Sequence, residues 1–214
     1  MSNFLTEHLI YRDDDFMVVH KPAGLLTVPG KTEDLQDCMI NRLLAIEPKT
    51  LLIHRLDRDT SGILVFGLSK AGQKSISRQF QERQTDKTYQ ALVVGTLEGG
   101  GTVDVPVIYD PSRPPLHIAE PTHNKPALTH WQAIEHLEIQ GQAVTRVKLT
   151  PITGRSHQLR VHMQYLGHPI VGDTLYASPK DQALMPRLCL HAERLSFQHP
   201  ISNEAVEYHY SVPF

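Results

Sequence analysis

Cysteine is scarce in this 214-residue chain: Cys38 and Cys189 are the only two, far apart and without a CxxC pairing. That excludes a disulfide framework and a thiol-redox motif, fits a reducing compartment, and leaves both thiols as ordinary core residues. Surplus positive charge is missing too. A formal net charge of -2 gives no general attraction to phosphates, so any nucleic-acid contact must rest on local basic patches. The opening MSNFLTEHLIYRDDD has no basic start followed by an apolar run, and no later stretch approaches membrane-spanning length. A soluble, cytoplasmic protein without a membrane partner is the expectation. HExxH and GxSxG are absent, which sets aside zinc-protease and esterase chemistry. GKT at 30–32 is a near miss of a nucleotide-binding loop, because Gly24 precedes Gly30 by six positions where such a loop needs five.

Apolar residues make up 40% of the chain, enough to bury the core of one compact domain. Phe16 to Val19 reads as a strand running into HKPAG, where Pro22 and Gly24 begin a loop. Residues 36–46 have helical character. LLIHRLD at 51–57 reads as extended and DTSG as a turn before GILVFGLS, which puts Asp57 at a strand-to-turn junction. Ser69 suits the N-cap of a helix over about 70–84, with Ile76 and Phe80 inward and Lys70, Lys74 and Arg78 sharing one face. In KTYQALVVG a period of two puts Lys87, Tyr89, Ala91 and Val93 on one side of a strand. Six prolines between 106 and 126 predict an irregular excursion outside the central sheet, readable as a mobile flap or as a rigid surface loop. Residues 128–136 and 143–150 read as paired strands. PITGRSHQLRVHMQYLG reads as a turn entering a helix stopped by Gly167, and RLCLHAERLSF and AVEYHYSVP read as extended. The sum is a strand-rich α+β fold without repeats.

Two polar clusters invite chemistry. In HRLDRDTSG, Arg55 and Asp57 share one side of an extended chain and can aim a cation and a carboxylate into one site, although a surface ion pair beside a turn has the same pattern. TGRSHQLRVH concentrates Arg155, His157, Arg160 and His162, which are costly to bury without an acidic partner or a phosphate. On a helix His157 and His162 would point about 140 degrees apart, a poor arrangement for paired metal ligands, so no metal site is expected.

Taken together and in order, HKPAG (20–24), HRLDRDTSG (54–62), KTYQA (87–91) and TGRSHQLRVH (153–162) resemble the RluA family of RNA pseudouridine synthases. The likeness continues through LGHPIVGD (166–173) and PRLCLHAERL (186–195). It implies a single catalytic domain over residues 1–214, with a mixed, largely antiparallel central sheet flanked by helices and loops. It also implies that Asp57 is catalytic, that Tyr89 serves beside it, and that Arg160 pairs with the aspartate. Arg55 resembles the arginine that in some members fills the space left by an extruded base. His54, Lys87, Arg155 and Leu159, from the same motifs, are the other candidate substrate-binding residues. His20 stands where many members have asparagine. The chain most resembles the short members that lack an N-terminal S4 domain and modify both large-subunit ribosomal RNA and transfer RNA. The implied partner is RNA, 23S ribosomal RNA and transfer RNA alike, with no cofactor and a monomer as the default state.

Pseudouridine formation breaks the bond from ribose C1' to uracil N1, turns the base and joins C1' to C5, with no redox change. A carboxylate can act as nucleophile at the sugar or remove a sugar proton, and both routes stay open for Asp57. Arg160 would hold that carboxyl ionised against the upward push of burial. Tyr89 offers a flat face to the uracil and a phenol for proton transfer at C5. The target base must be flipped out of its stack, and Lys70, Lys74 and Arg78 are candidate phosphate contacts. Two other classes compete: a hydrolase of the C1' bond with Asp59 as second carboxylate, and an RNA-binding module without catalysis. A third alternative keeps the chemistry but moves it to another ribosomal or transfer RNA uridine.

Overall fold

The computed structural model of the protein describes residues 3–214; Met1 and Ser2, which open the segment read above as lacking a leader, lie outside the described residues. The first part of the chain forms α1 (Asn3–His8), β1 (Leu9–Arg12), β2 (Phe16–Lys21), α2 (Met39–Leu44), β3 (Leu51–Leu52), β4 (Ser61–Gly67) and α3 (Lys70–Gln81). The middle forms β5 (Asp86–Val94), β6 (Gly100–Asp104), β7 (Val107–Tyr109), β8 (His117–Ala119), β9 (Leu128–Ile139) and β10 (Gln142–Pro151). The last part forms α4 (Gln158–Tyr165), α5 (Pro179–Gln182), β11 (Leu190–Gln198) and β12 (Ala205–His209). No helix among the described residues is long and apolar enough to cross a membrane.

Two compact units result, Met1–Lys87 with Ala192–Pro213 and Thr88–His191 with Phe214. In the first, the strand order is β1-β2-β4-β11, with β12 beside β11 and β3 on β4. β4 is buried along its whole length and pairs antiparallel with β2 from Phe16↔Gly67 to Lys21↔Gly62. Both strands read as continuous apolar runs because each is covered on both faces. Phe16, Val18, Ile63, Val65, Ile76, Leu195 and Phe197 form the core here, each large side chain worth about 1.5–3 kcal/mol of burial. Gly62 is obligatory: its φ is +122° and a Cβ would come within 2.3 Å of the Ala192 carbonyl oxygen on β11. α3 begins where the sequence places it. The Ser69 hydroxyl accepts from the Gly72 N–H at 2.9 Å and donates to Asp15 Oδ1 at 2.7 Å, and Ile76 is fully buried.

In the second unit, β5-β10-β9-β6 form an antiparallel array, with Tyr89↔Leu149 and Ala91↔Val147 among the β5–β10 pairs. Leu92, Val147, Leu149, Leu159, Met163, Ile170 and Leu190 are buried together. Both units are thus α+β with largely antiparallel pairing, the class expected. The proline-rich excursion is more regular than expected: β7 and β8 pair as a two-stranded sheet of their own. Its tip is ordered by Asp110, which accepts from the Ser112 N–H and hydroxyl and from Arg113 Nε. The strand expected over 51–57 shrinks to Leu51–Leu52, and the helix expected from 70 to 84 ends at Gln81.

Candidate active site

Asp57 lies in the irregular segment between β3 and β4, half-buried, with Arg55 exposed and Leu56 turned inward at 6% exposure. The peptide groups on both sides of Asp57 are tied to the loop that follows β2. Before it, the buried Thr27 hydroxyl donates to the Leu56 carbonyl at 2.8 Å and accepts from the Leu56 N–H at 3.2 Å. After it, the Arg58 carbonyl accepts from Lys21 Nζ at 2.8 Å and from the Gly24 N–H at 2.9 Å. Lys21 is completely buried and also donates to the Pro22 and Leu25 carbonyls at 2.9 and 2.7 Å. Three carbonyls therefore compensate an ammonium that would otherwise be expensive to bury. HKPAG thus has a mechanical purpose: it is the frame around the aspartate segment. The Arg58 side chain pairs with Asp59 at 3.1 Å, which engages the carboxylate that a hydrolase would need as its second acid.

His54 and Lys87 flank one ring. His54 stacks on Phe80 of α3 with centroids 4.4 Å apart, and Lys87 Nζ lies 5.8 Å from the same ring's centroid. The Val65 N–H donates to His54 Nε2 at 3.2 Å, which requires a neutral ring. Dense packing around the imidazole pushes its pKa down to about 3, and the Lys87 charge adds to the push. Burial likewise lowers the Lys87 pKa, with repulsion from Arg83 adding and attraction from Asp86 opposing.

In the second unit Tyr89 is half-buried on β5, opposite Leu149. Arg160, in the first turn of α4, is 2% exposed. Its Nε and Nη2 donate to the two oxygens of Asp173 at 2.8 and 2.6 Å, a bidentate buried pair. Asp173 Oδ1 also accepts from the Leu175 and Tyr176 N–H groups. The guanidinium sits 5.0 Å from the Tyr176 ring centroid, and the Tyr176 hydroxyl is 2.6 Å from His157 Nδ1. His157 is the left-handed residue (φ 56°) that precedes α4, so it is not on the helix, and the helical spacing expected for it and His162 does not arise. His162 is fully buried against Thr129 Oγ1 and the Val105 carbonyl, and burial lowers its pKa. Arg155 is exposed, its Nε donating to the Pro126 carbonyl at 3.2 Å, whereas Leu159 belongs to the apolar core at 7% exposure.

Four residues that organise these features escaped the sequence reading: Lys21, Thr27, Asp173 and Tyr176. Lys21 and Asp173 stand inside HKPAG and LGHPIVGD, so the signal was present, but the Arg58 carbonyl that Lys21 holds and the Arg160 guanidinium that Asp173 holds lie in other motifs. Nothing in the sequence marks Thr27.

The sequence model of the RNA pseudouridylate synthase family matches residues 15–165. The dual-specificity RNA pseudouridine synthase RluA of Pasteurella multocida is 48% identical over 197 residues, covering 92% of this chain and 89% of that protein. The protein of the same name from Escherichia coli K12 is 47% identical over 194 residues, covering 90% and 87%. Among solved structures, human RNA pseudouridylate synthase domain containing 1 superposes with a TM-score of 0.81 at 35% identity, covering 97% of this chain and 84% of that one. Its human counterpart domain containing 4 shares the fold at a TM-score of 0.75 and 24% identity, covering 98% and 90%. With the family model spanning most of the chain and relatives near half-identical along nearly all of it, the chain belongs to the RNA pseudouridylate synthase family.

Proposed function

We propose that the protein is a cytoplasmic RNA pseudouridine synthase acting on specific uridines in structured loops of both 23S ribosomal RNA and transfer RNA, with dual specificity like that of its relatives. The observation that carries this reading is the frame around Asp57, in which Thr27 and Lys21 fix the peptide groups on either side of the family's aspartate. A group that must meet one sugar carbon gains most from such restraint, because positioning alone can supply a large part of a rate enhancement.

In the proposed cycle the target nucleotide leaves its stack and Arg55, exposed two positions before Asp57, occupies the gap. Asp57 attacks C1' or removes a sugar proton, the C1'–N1 bond breaks, and the base stays bound while it turns. C1' then bonds to C5 as the bond to Asp57 breaks, or as Asp57 returns the proton to the sugar; N1 takes up a proton, and the hydrogen displaced from C5 leaves as a proton, with Tyr89 as the group that assists at C5. Arg160 is assigned, as the resemblance implies, to favouring the ionised aspartate. His54, Lys87, Arg155 and Leu159 are assigned to substrate binding. A single catalytic domain acting as a monomer completes the proposal, with no cofactor taking part.

RNA carrying tritium at uridine C5 tests this directly. Release of tritium to water with all uracil retained in the polymer supports the synthase. Free uracil would establish the hydrolase instead, and neither product from a protein that binds the RNA would establish a binding module.

A further inference from the structure

α3 carries three cations and no anion. Lys70, Lys74 and Arg78 are all exposed, and no carboxylate among the described residues pairs with them. Elsewhere Arg12, Arg42, Arg58, Arg113, Arg146 and Arg194 each have an acidic partner, and the exposed Lys31, Lys49 and Lys180 are scattered along the chain and form no row on one helix face. The row on α3 works against its own helix. Like charges four apart repel, and Lys70, the first helical residue, faces the positive end of the helix dipole. The helix holds because Ser69 caps it and Ile76 is buried beneath it. Its inner side is also fastened to the segment that leads to Asp57, through Gln73 Nε2 donating to the Leu52 carbonyl at 2.8 Å and the Phe80–His54 stack. Cations four residues apart advance about 6 Å along the axis, so the row spans about 12 Å. Arg83 continues it past the helix end, where Glu82 and Asp86 are the nearby anions.

From this charge and this attachment we infer that Lys70, Lys74 and Arg78 form a docking rail for the phosphodiester backbone of the RNA beside the target uridine. The inference rests on the reading that the substrate is RNA. A molecule with net charge -2 has no overall attraction to phosphate, so a local row must supply it. The rail reads backbone and not bases, and therefore serves RNAs of different sequence with the same contacts.

The test measures binding of fluorescently labelled, unmodified transfer RNA between about 50 and 200 mM salt. The wild type is compared with Lys70→Gln/Lys74→Gln/Arg78→Gln, and with a control carrying the same change of charge at exposed sites elsewhere, Lys31→Gln/Lys49→Gln/Lys180→Gln. Three lost phosphate contacts should flatten the slope of log affinity against log salt by about 2, or roughly twentyfold less affinity change over that range. The control should keep the wild-type slope. In turnover the α3 variant should raise KM and leave kcat unchanged, and thermal unfolding should be unaltered or slightly higher once the repulsion is gone. An unchanged slope in the α3 variant, or an equal loss in the control, overturns the rail. Binding decides the rail whether or not turnover occurs, whereas a wild type that binds RNA and forms no pseudouridine overturns the functional reading alone.

Discussion

At Asp57 the chain fixes a carboxylate by bonding the peptide groups before and after it, and the Thr27 hydroxyl makes two of those bonds. Thr27→Val keeps the shape and removes the hydroxyl, leaving the buried Leu56 N–H and carbonyl unsatisfied at about 1–3 kcal/mol each. We expect kcat to fall at least about tenfold with KM little changed, because a misplacement of about 1 Å is costly to a reacting group; steady-state kinetics at a temperature where the variant stays folded checks this. The side chains of Arg160 and Asp173 are 3% and 0% exposed, so neutralising one strands the other. Asp173→Asn should cost about 3–5 kcal/mol, a drop in Tm on the order of 10 °C for a chain of this size, read by thermal unfolding. At this scale the sequence was legible where local chemistry marks the residue, as with Ser69, which caps α3 where expected. It was silent where a residue acts only through a contact formed in three dimensions. Thr27 is 29 positions from Leu56, and no spacing rule connects them.

Among the elements, α3 and the β9–β10 pair were legible because each carries a full period of its own: inward Ile76 with outward cations, and two long alternating runs. β6 was not, since it opens on Gly100 and Gly101 and is held by its partner β9 and not by its own propensity. β7 and β8 were hidden by the prolines around them. The segment from His54 to Asp57 reads as a strand but forms no ladder, and its Leu56 N–H and carbonyl bond to the Thr27 hydroxyl in the loop after β2 instead. His54 anchors this segment to β4 and α3 as a neutral ring, and that has a pH consequence. In the unfolded chain the imidazole takes a proton near pH 6.5, and in the folded chain only near 3, so acid favours the unfolded state. Stability should fall as pH drops from about 6.5 toward 3. His54→Phe, which keeps a ring on Phe80, should show a shallower loss of Tm between pH 7 and 5 than the wild type; an identical slope would mean that His54 is not held neutral.

Over the whole molecule, composition alone pointed away from nucleic acid, and the family motifs pointed toward it. The two agree once charge is considered locally, because a net charge of -2 coexists with an anion-free basic helix. The α+β class was legible from alternating strand signals, whereas the boundaries of the two compact units were not, since β5 and β11 each contribute residues to both. The central claim is that Asp57 drives isomerisation of uridine within intact RNA. The measurement that tests it most directly incubates unmodified transfer RNA and 23S ribosomal RNA with wild type and with Asp57→Ala, without added metal or nucleotide, and maps pseudouridine by carbodiimide labelling and primer extension. Discrete new stops with wild type on both RNAs, and none with a folded, RNA-binding Asp57→Ala, is the expected result. Stops that persist in Asp57→Ala, or none with wild type on either RNA, would contradict the account.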